Sequence, residues 1–161
     1  MLYGYDTKLY FFILYLFHVI YHIILYETNS GKLILDIVFK EIIGTDSSLF
    51  TGFISALKSF GADILKNQPK NINMIRFDNL IIKIFTITEL NIDIVILFDP
   101  EPEHYKIVNE IIPKIKTIIF EYETLFTEWN GMNLNEFQIL AEPILNLIRK
   151  SIFAEAIVGA L

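Results

Sequence analysis

There is no cysteine in this chain. That absence removes disulfides, thiolate metal sites and thiol nucleophiles together, and it suits a reducing compartment, so the cytoplasm is the expected setting. Basic charge is also scarce. Lys and Arg total 13 against 19 Asp and Glu, for a net charge of -6, and no cluster of cations is available to neutralise a phosphate backbone. Nucleic acid is therefore not an expected partner. Internal repeats, long linkers and low-complexity stretches are missing as well, so the 161 residues are expected to fold around one core.

What the chain has in quantity is apolar: 53% of its residues are hydrophobic and 20% charged, too apolar a mixture for disorder. The most extreme stretch is LYFFILYLFHVIYHIILY, residues 9–26, without a charge. Its length is near the lower limit for a membrane-spanning helix, which makes residues 9–26 an alternative membrane anchor that would place the protein at a membrane periphery. The β-branched and aromatic content, the histidines and the turn that follows favour a buried strand from residue 17, with residues 1–16 as an apolar lead-in. A signal peptide is disfavoured, because Asp6 and Lys8 cancel before the stretch and no small-residue cleavage site follows it.

Residues 17–26 place Phe17, Val19, Tyr21, Ile23 and Leu25 on one face and Ile20, Ile24 and Tyr26 on the other, as expected of a central strand covered from both sides. The turn Thr28-Asn29-Ser30-Gly31 then predicts a hairpin in which Asn29 and Gly31 supply positive φ angles. Its partner, residues 32–42, alternates Leu33, Leu35, Ile37 and Phe39 against Asp36 and Lys40. The Gly44-Thr45-Asp46-Ser47-Ser48 break offers helix-capping oxygens. In SLFTGFISALKSFGADIL (48–65), Phe50, Phe53, Ile54, Leu57, Phe60 and Ile64 recur at three- and four-residue steps, predicting one buried stripe. Burial of its three Phe and Leu57 would contribute roughly 6 to 12 kcal/mol gross, at about 1.5 to 3 per side chain.

Three further strands are expected at 71–78, 80–87 and 92–99, linked closely enough to pair antiparallel. The third is nearly continuous in apolar residues and should be central; the first, with Asn71, Asn73, Arg76 and Asp78, should be an edge. After Asp99-Pro100-Glu101-Pro102-Glu103, a long helical period carries Tyr105, Val108, Ile112, Ile115, Ile119, Tyr122, Phe126 and Trp129, with Pro113 expected to bend it and Asn130-Gly131 to stop it. A last helix begins near Asn133, with Glu136 in a capping-box position, and buries Leu134, Phe137, Leu140, Ile144 and Leu147. Residues 151–161 extend it or form a tail.

The expected fold is thus α+β, a five-stranded antiparallel sheet with helices on both faces, in the order β-β-α-β-β-β-α-α over residues 17–150. This order, with the NSGKLIL hairpin, the FISALKSFG helix and the EWNG stop, resembles the longin domain and its roadblock and profilin-like relatives. The resemblance implies a dimer with a like domain, homo- or heteromeric, and company with small GTPases or membrane-traffic machinery. It also implies a partner site at an edge strand beside the first helix, here Phe50, Phe53, Leu57, Met74 and Arg76.

No catalytic motif stands beside it. Gly31-Lys32 fails as a phosphate loop, since Tyr26 stands where the first Gly belongs and Leu33 where Ser or Thr belongs. His18 and His22, on a strand, would be roughly 13 Å apart, too far to share an ion. Asp99, Glu101 and Glu103, with His104 in the same exposed turn, suit a helix N-terminus more than an acid–base pair or a cation. Neither a Gly-x-Ser-x-Gly elbow nor a triad spacing is present. No catalytic, cofactor-binding or metal-binding residue is expected. A non-enzymatic interaction domain is the leading reading, ahead of a membrane-anchored domain and of a small-ligand sensor.

Overall fold

In the computed structural model, residues 18–44, 46–65 and 72–159 are described, with side chains to residue 154; the lead-in over 1–16 lies outside them. The described residues form strands β1 (Ile20–Glu27) and β2 (Leu33–Val38), helix α1 (Ser47–Ile64), strands β3 (Met74–Arg76), β4 (Ile81–Ile87) and β5 (Ile92–Phe98), and helices α2 (Pro102–Glu121), α3 (Glu123–Thr127) and α4 (Ala141–Gly159). The architecture is α+β, with one antiparallel sheet in the spatial order β2-β1-β5-β4-β3. β5 occupies the centre, as its unbroken apolar run predicts, and every one of its residues is buried.

Alternation divides β5 between two layers. Ile92, Ile94, Ile96 and Phe98 join the larger core under α2 and α4, to which Val108, Ile111, Ile115, Ile119, Phe137, Leu140, Ile144 and Ile148 contribute. Val95 and Leu97 face the other way, with Ile24, Tyr26, Ile82, Ile84 and Ile54, beneath α1. One face of the sheet thus carries a thick apolar layer and the other a thin one covered by α1.

Several boundaries differ from the sequence expectation. His18 and Val19 are helical, so β1 begins at Ile20 rather than residue 17. In the first turn only Gly31 has a positive φ, +71°; Asn29 does not. β3 shrinks to three residues. The long helix runs through Pro113, whose ring sits on the exposed side, where water can satisfy the carbonyl it leaves unbonded. The helix breaks at Tyr122 instead (φ -114°, ψ 24°). Near the last helix, Asn133 and Glu136 do interact, Nδ2 to Oε1 at 3.1 Å, but they open a 3-10 stretch, Asn135–Leu140, and α4 starts at Ala141.

Candidate functional site

α1 is attached to the sheet mainly through polar side chains. Thr51 Oγ1 donates to the Gly31 carbonyl at 2.8 Å, Ser55 Oγ to the Thr28 carbonyl at 3.3 Å, and Lys58 Nζ to Asp93 Oδ2 at 2.5 Å and Thr86 Oγ1 at 3.2 Å. The only apolar side chain of α1 that is fully buried is Ile54. Asp46 caps the helix, accepting from the Ser48 amide at 2.6 Å, and Ser47 Oγ donates to Asp36 Oδ2 at 2.5 Å.

These anchors fix the rotation of the helix. Thr51 and Lys58, seven residues apart, look at the sheet. Phe53 and Phe60 lie two positions further on, about 160° round the cylinder at 3.6 residues per turn. The predicted buried stripe consequently faces solvent: Leu49 is 67% exposed, Phe53 61%, Phe60 62% and Ile64 61%, while Phe50 and Leu57 are half-buried at its margin. The expected 6 to 12 kcal/mol of burial is not realised within the chain. Counting apolar residues picked the wrong face because the sheet beneath offers Asp93, Thr86 and backbone carbonyls, and these select the polar side of the helix.

Asp93 is the pivot of this face. It is fully buried and stands in register with Tyr26 on β1 and Thr86 on β4, and Thr86 Oγ1 donates to its second oxygen at 2.5 Å. Burial first, and then the Asp93 carboxylate beside it, push the Tyr26 phenol above its ordinary range. A phenol in the unfolded chain ionises near pH 10, whereas the folded protein holds this one neutral, so the stability tied to it is complete below about pH 10 and is lost as pH rises beyond. Tyr26→Phe should therefore flatten the fall of the urea midpoint above about pH 10, and an unchanged slope would count against this environment.

A second polar cluster joins β1, β2 and the start of α1. His22 Nδ1 lies 3.0 Å from Asp36 Oδ1, and its Nε2 lies 3.5 Å from Glu41 Oε1. Ser47, His22 and Asp36 are in the wrong order for nucleophile chemistry: the serine hydroxyl bonds the carboxylate, and a carboxylate rather than a serine faces Nε2. The cluster is a structural tie. His104, expected in an exposed turn, is buried, its Nδ1 3.5 Å from Asp99 Oδ1, because it shares the sheet-facing side of α2 with Val108 and Ile111. Lys32 also has a structural task, reaching the Gly131 carbonyl with its ammonium 5.1 Å from the Trp129 ring centroid. Among the described residues, His, Asp and Glu form no group of three arranged to hold a metal ion.

The expected partner residues divide between two surfaces. Phe50, Phe53 and Leu57 lie along α1. Met74 and Arg76 alternate to the opposite face of the sheet, in register with Lys83 and Ile81, and Arg76 Nη1 donates to Tyr105 Oη on α2 at 3.1 Å. Ile75, between them, is the β3 residue that packs under α1. Leu49, which the sequence reading omitted, completes the exposed stripe. Among the described residues no helix is long and apolar enough to cross a membrane, and residues 20–26 of the proposed anchor belong to β1. No protein-family model matches the chain, and no curated protein matches it.

Proposed function

We propose that the chain is a non-enzymatic protein–protein interaction domain of longin- or roadblock-like type, which docks through α1, dimerises with a like domain and serves as a cytoplasmic scaffold or regulator for a small GTPase or a traffic-type complex. The observation that carries the reading is the outward apolar stripe Leu49, Phe53, Phe60 and Ile64. Contiguous exposed apolar surface of this kind marks an interaction site on a folded domain. It is favoured over chemistry because the buried ionisable groups of the α1 face, Lys58, Asp93 and His22, are spent on ties between elements. The likeness to longin and roadblock modules, and with it the GTPase, rests on element order. Met74 and Arg76 are left for a separate contact at the β3 edge.

Affinity capture from native cell extract, comparing the unaltered chain with Phe53→Glu, tests this. The reading expects a defined protein to be retained by the first and lost by the second, with circular dichroism unchanged. Equal retention by both would remove α1 as the docking surface.

A further inference from the structure

The residues that α1 turns outward have a symmetry that selects their partner. Leu49 and Ile64 end the stripe, Phe53 and Phe60 stand inside them, and Ala56 and Leu57 fill the middle; each pair is equidistant from the midpoint of the helix. Gly52 and Gly61 obey the same relation. Read from either end, the stripe offers large aliphatic, phenylalanine, small or aliphatic, phenylalanine, large aliphatic. A surface that is its own mirror along the helix is what an isologous two-fold contact requires, since each residue must meet the mate of its counterpart.

We infer that the occupant of this stripe is a second copy of the chain, its α1 packed antiparallel so that the two-fold axis passes between Ala56 and Leu57. The inference rests on the interaction-domain reading and deepens it. In this arrangement Phe53 of one copy lies beside Phe60 of the other on both sides of the axis, and Leu49 beside Ile64. The small Ala56 lets the helices approach at their crossing, where axes are typically 8–10 Å apart.

Charge agrees. The protein carries -6 overall, yet the only charged residues of α1 are Lys58 and Asp63, and Lys58 is held by Asp93. Asp63 and its mate would be separated by roughly 20 Å at 1.5 Å per residue, beyond the Debye length at physiological salt. Area agrees too. Phe side chains carry about 150–250 Å² each, so four large side chains exposed by about six-tenths, with Ala56 and Leu57, supply roughly 500 Å² per copy and about 1,000 Å² for the pair, at the threshold of a specific interface. The copies stack through their helices, with the two sheets outermost from the contact. Joining sheet to sheet through β3 would have only three residues to use.

The absence of cysteine gives a clean background for a test with a short bifunctional maleimide. Ala56→Cys places its thiols near the axis and should cross-link in high yield. Leu49→Cys places its thiols about 22 Å apart and should not cross-link to itself, but should when mixed with Ile64→Cys. In parallel, Phe53→Lys and Phe60→Glu should each give a monomer, whereas the two combined in one chain should restore a mass about twice 18.7 kDa, because each introduced lysine meets an introduced glutamate across the axis. Self-cross-linking of Leu49→Cys, no rescue by the double variant, or a monomer at every concentration would overturn the inference. If the chain is monomeric while Phe53→Glu still abolishes capture of another protein, the second copy is wrong and the docking reading stands; if neither depends on Phe53, both fall.

Discussion

Lys58→Met should lower stability by about 3–5 kcal/mol, the usual cost of removing one partner of a buried ion pair. The methionine keeps the length and apolar stem of the lysine, so packing changes little and the loss isolates the charge. Asp93 would be left at the centre of the sheet with Thr86 as its remaining donor and Tyr26 beside it, a desolvated carboxylate without its counter-charge. Against a total stability of about 5–15 kcal/mol for an ordinary domain, this should be plain in urea melts, as a lower midpoint with the slope retained. Lys58→Met with Asp93→Asn should recover a large part of the loss, since the charge and its partner go together. A Lys58→Met variant as stable as the parent would mean that α1 is not held by this contact.

The second large effect is expected at Gly31, where the opening hairpin meets α1. Its φ of +71° disfavours any L side chain, and an added Cβ would lie 2.9 Å from Ser55 Cβ and 3.1 Å from Gly52 Cα. Neither neighbour is the flexible end of a side chain. Gly31→Ala should cost about 1–2 kcal/mol for the backbone and about 1–3 kcal/mol more for overpacking, and should weaken the Thr51 bond to the Gly31 carbonyl. Gly131→Ala is the control. That glycine also has a positive φ, +82°, but its nearest neighbour would be Lys32 Nζ at 3.7 Å, so only the backbone term, about 1–2 kcal/mol, applies. Equal losses at the two sites, measured by denaturant unfolding, would deny the close approach of hairpin and helix.

The sheet was legible in the sequence because its strands are written in period two or in continuous apolar runs, and because Gly31, Asp78-Asn79 and the 88–91 link are turn-formers. Edge and centre could be told apart by the polar residues of 71–78 and the apolar run of 92–98. The orientation of α1 was not legible. Periodicity reports that a helix has an apolar side, not that the side is buried, and the decision depended on Asp93, a single carboxylate inside IDIVILF. That residue was the available signal: a charge in a central strand demands a buried partner, and Lys58, seven residues from Thr51, is placed to be it. Of the expected partner residues, Phe53 and Leu57 fall on or beside the exposed stripe, whereas Met74 and Arg76 turn away because β3 alternates. The break at Tyr122 left no signature, since the apolar steps continue through it. His104 was misplaced for a simpler reason: its neighbours are charged, but its position on the helix points to the core.

The account depends on α1 lying on the sheet by its polar side with its phenylalanines turned out, and thiol labelling of single-cysteine variants tests this most directly. At concentrations below self-association, Phe53→Cys and Phe60→Cys should react with a maleimide nearly as fast as an unfolded control, and Ile54→Cys on the order of a hundredfold or more slower, as befits a site reached only by local opening. Protection of Phe53→Cys in the monomer, or Ile54→Cys reacting as fast as its neighbour, would contradict it.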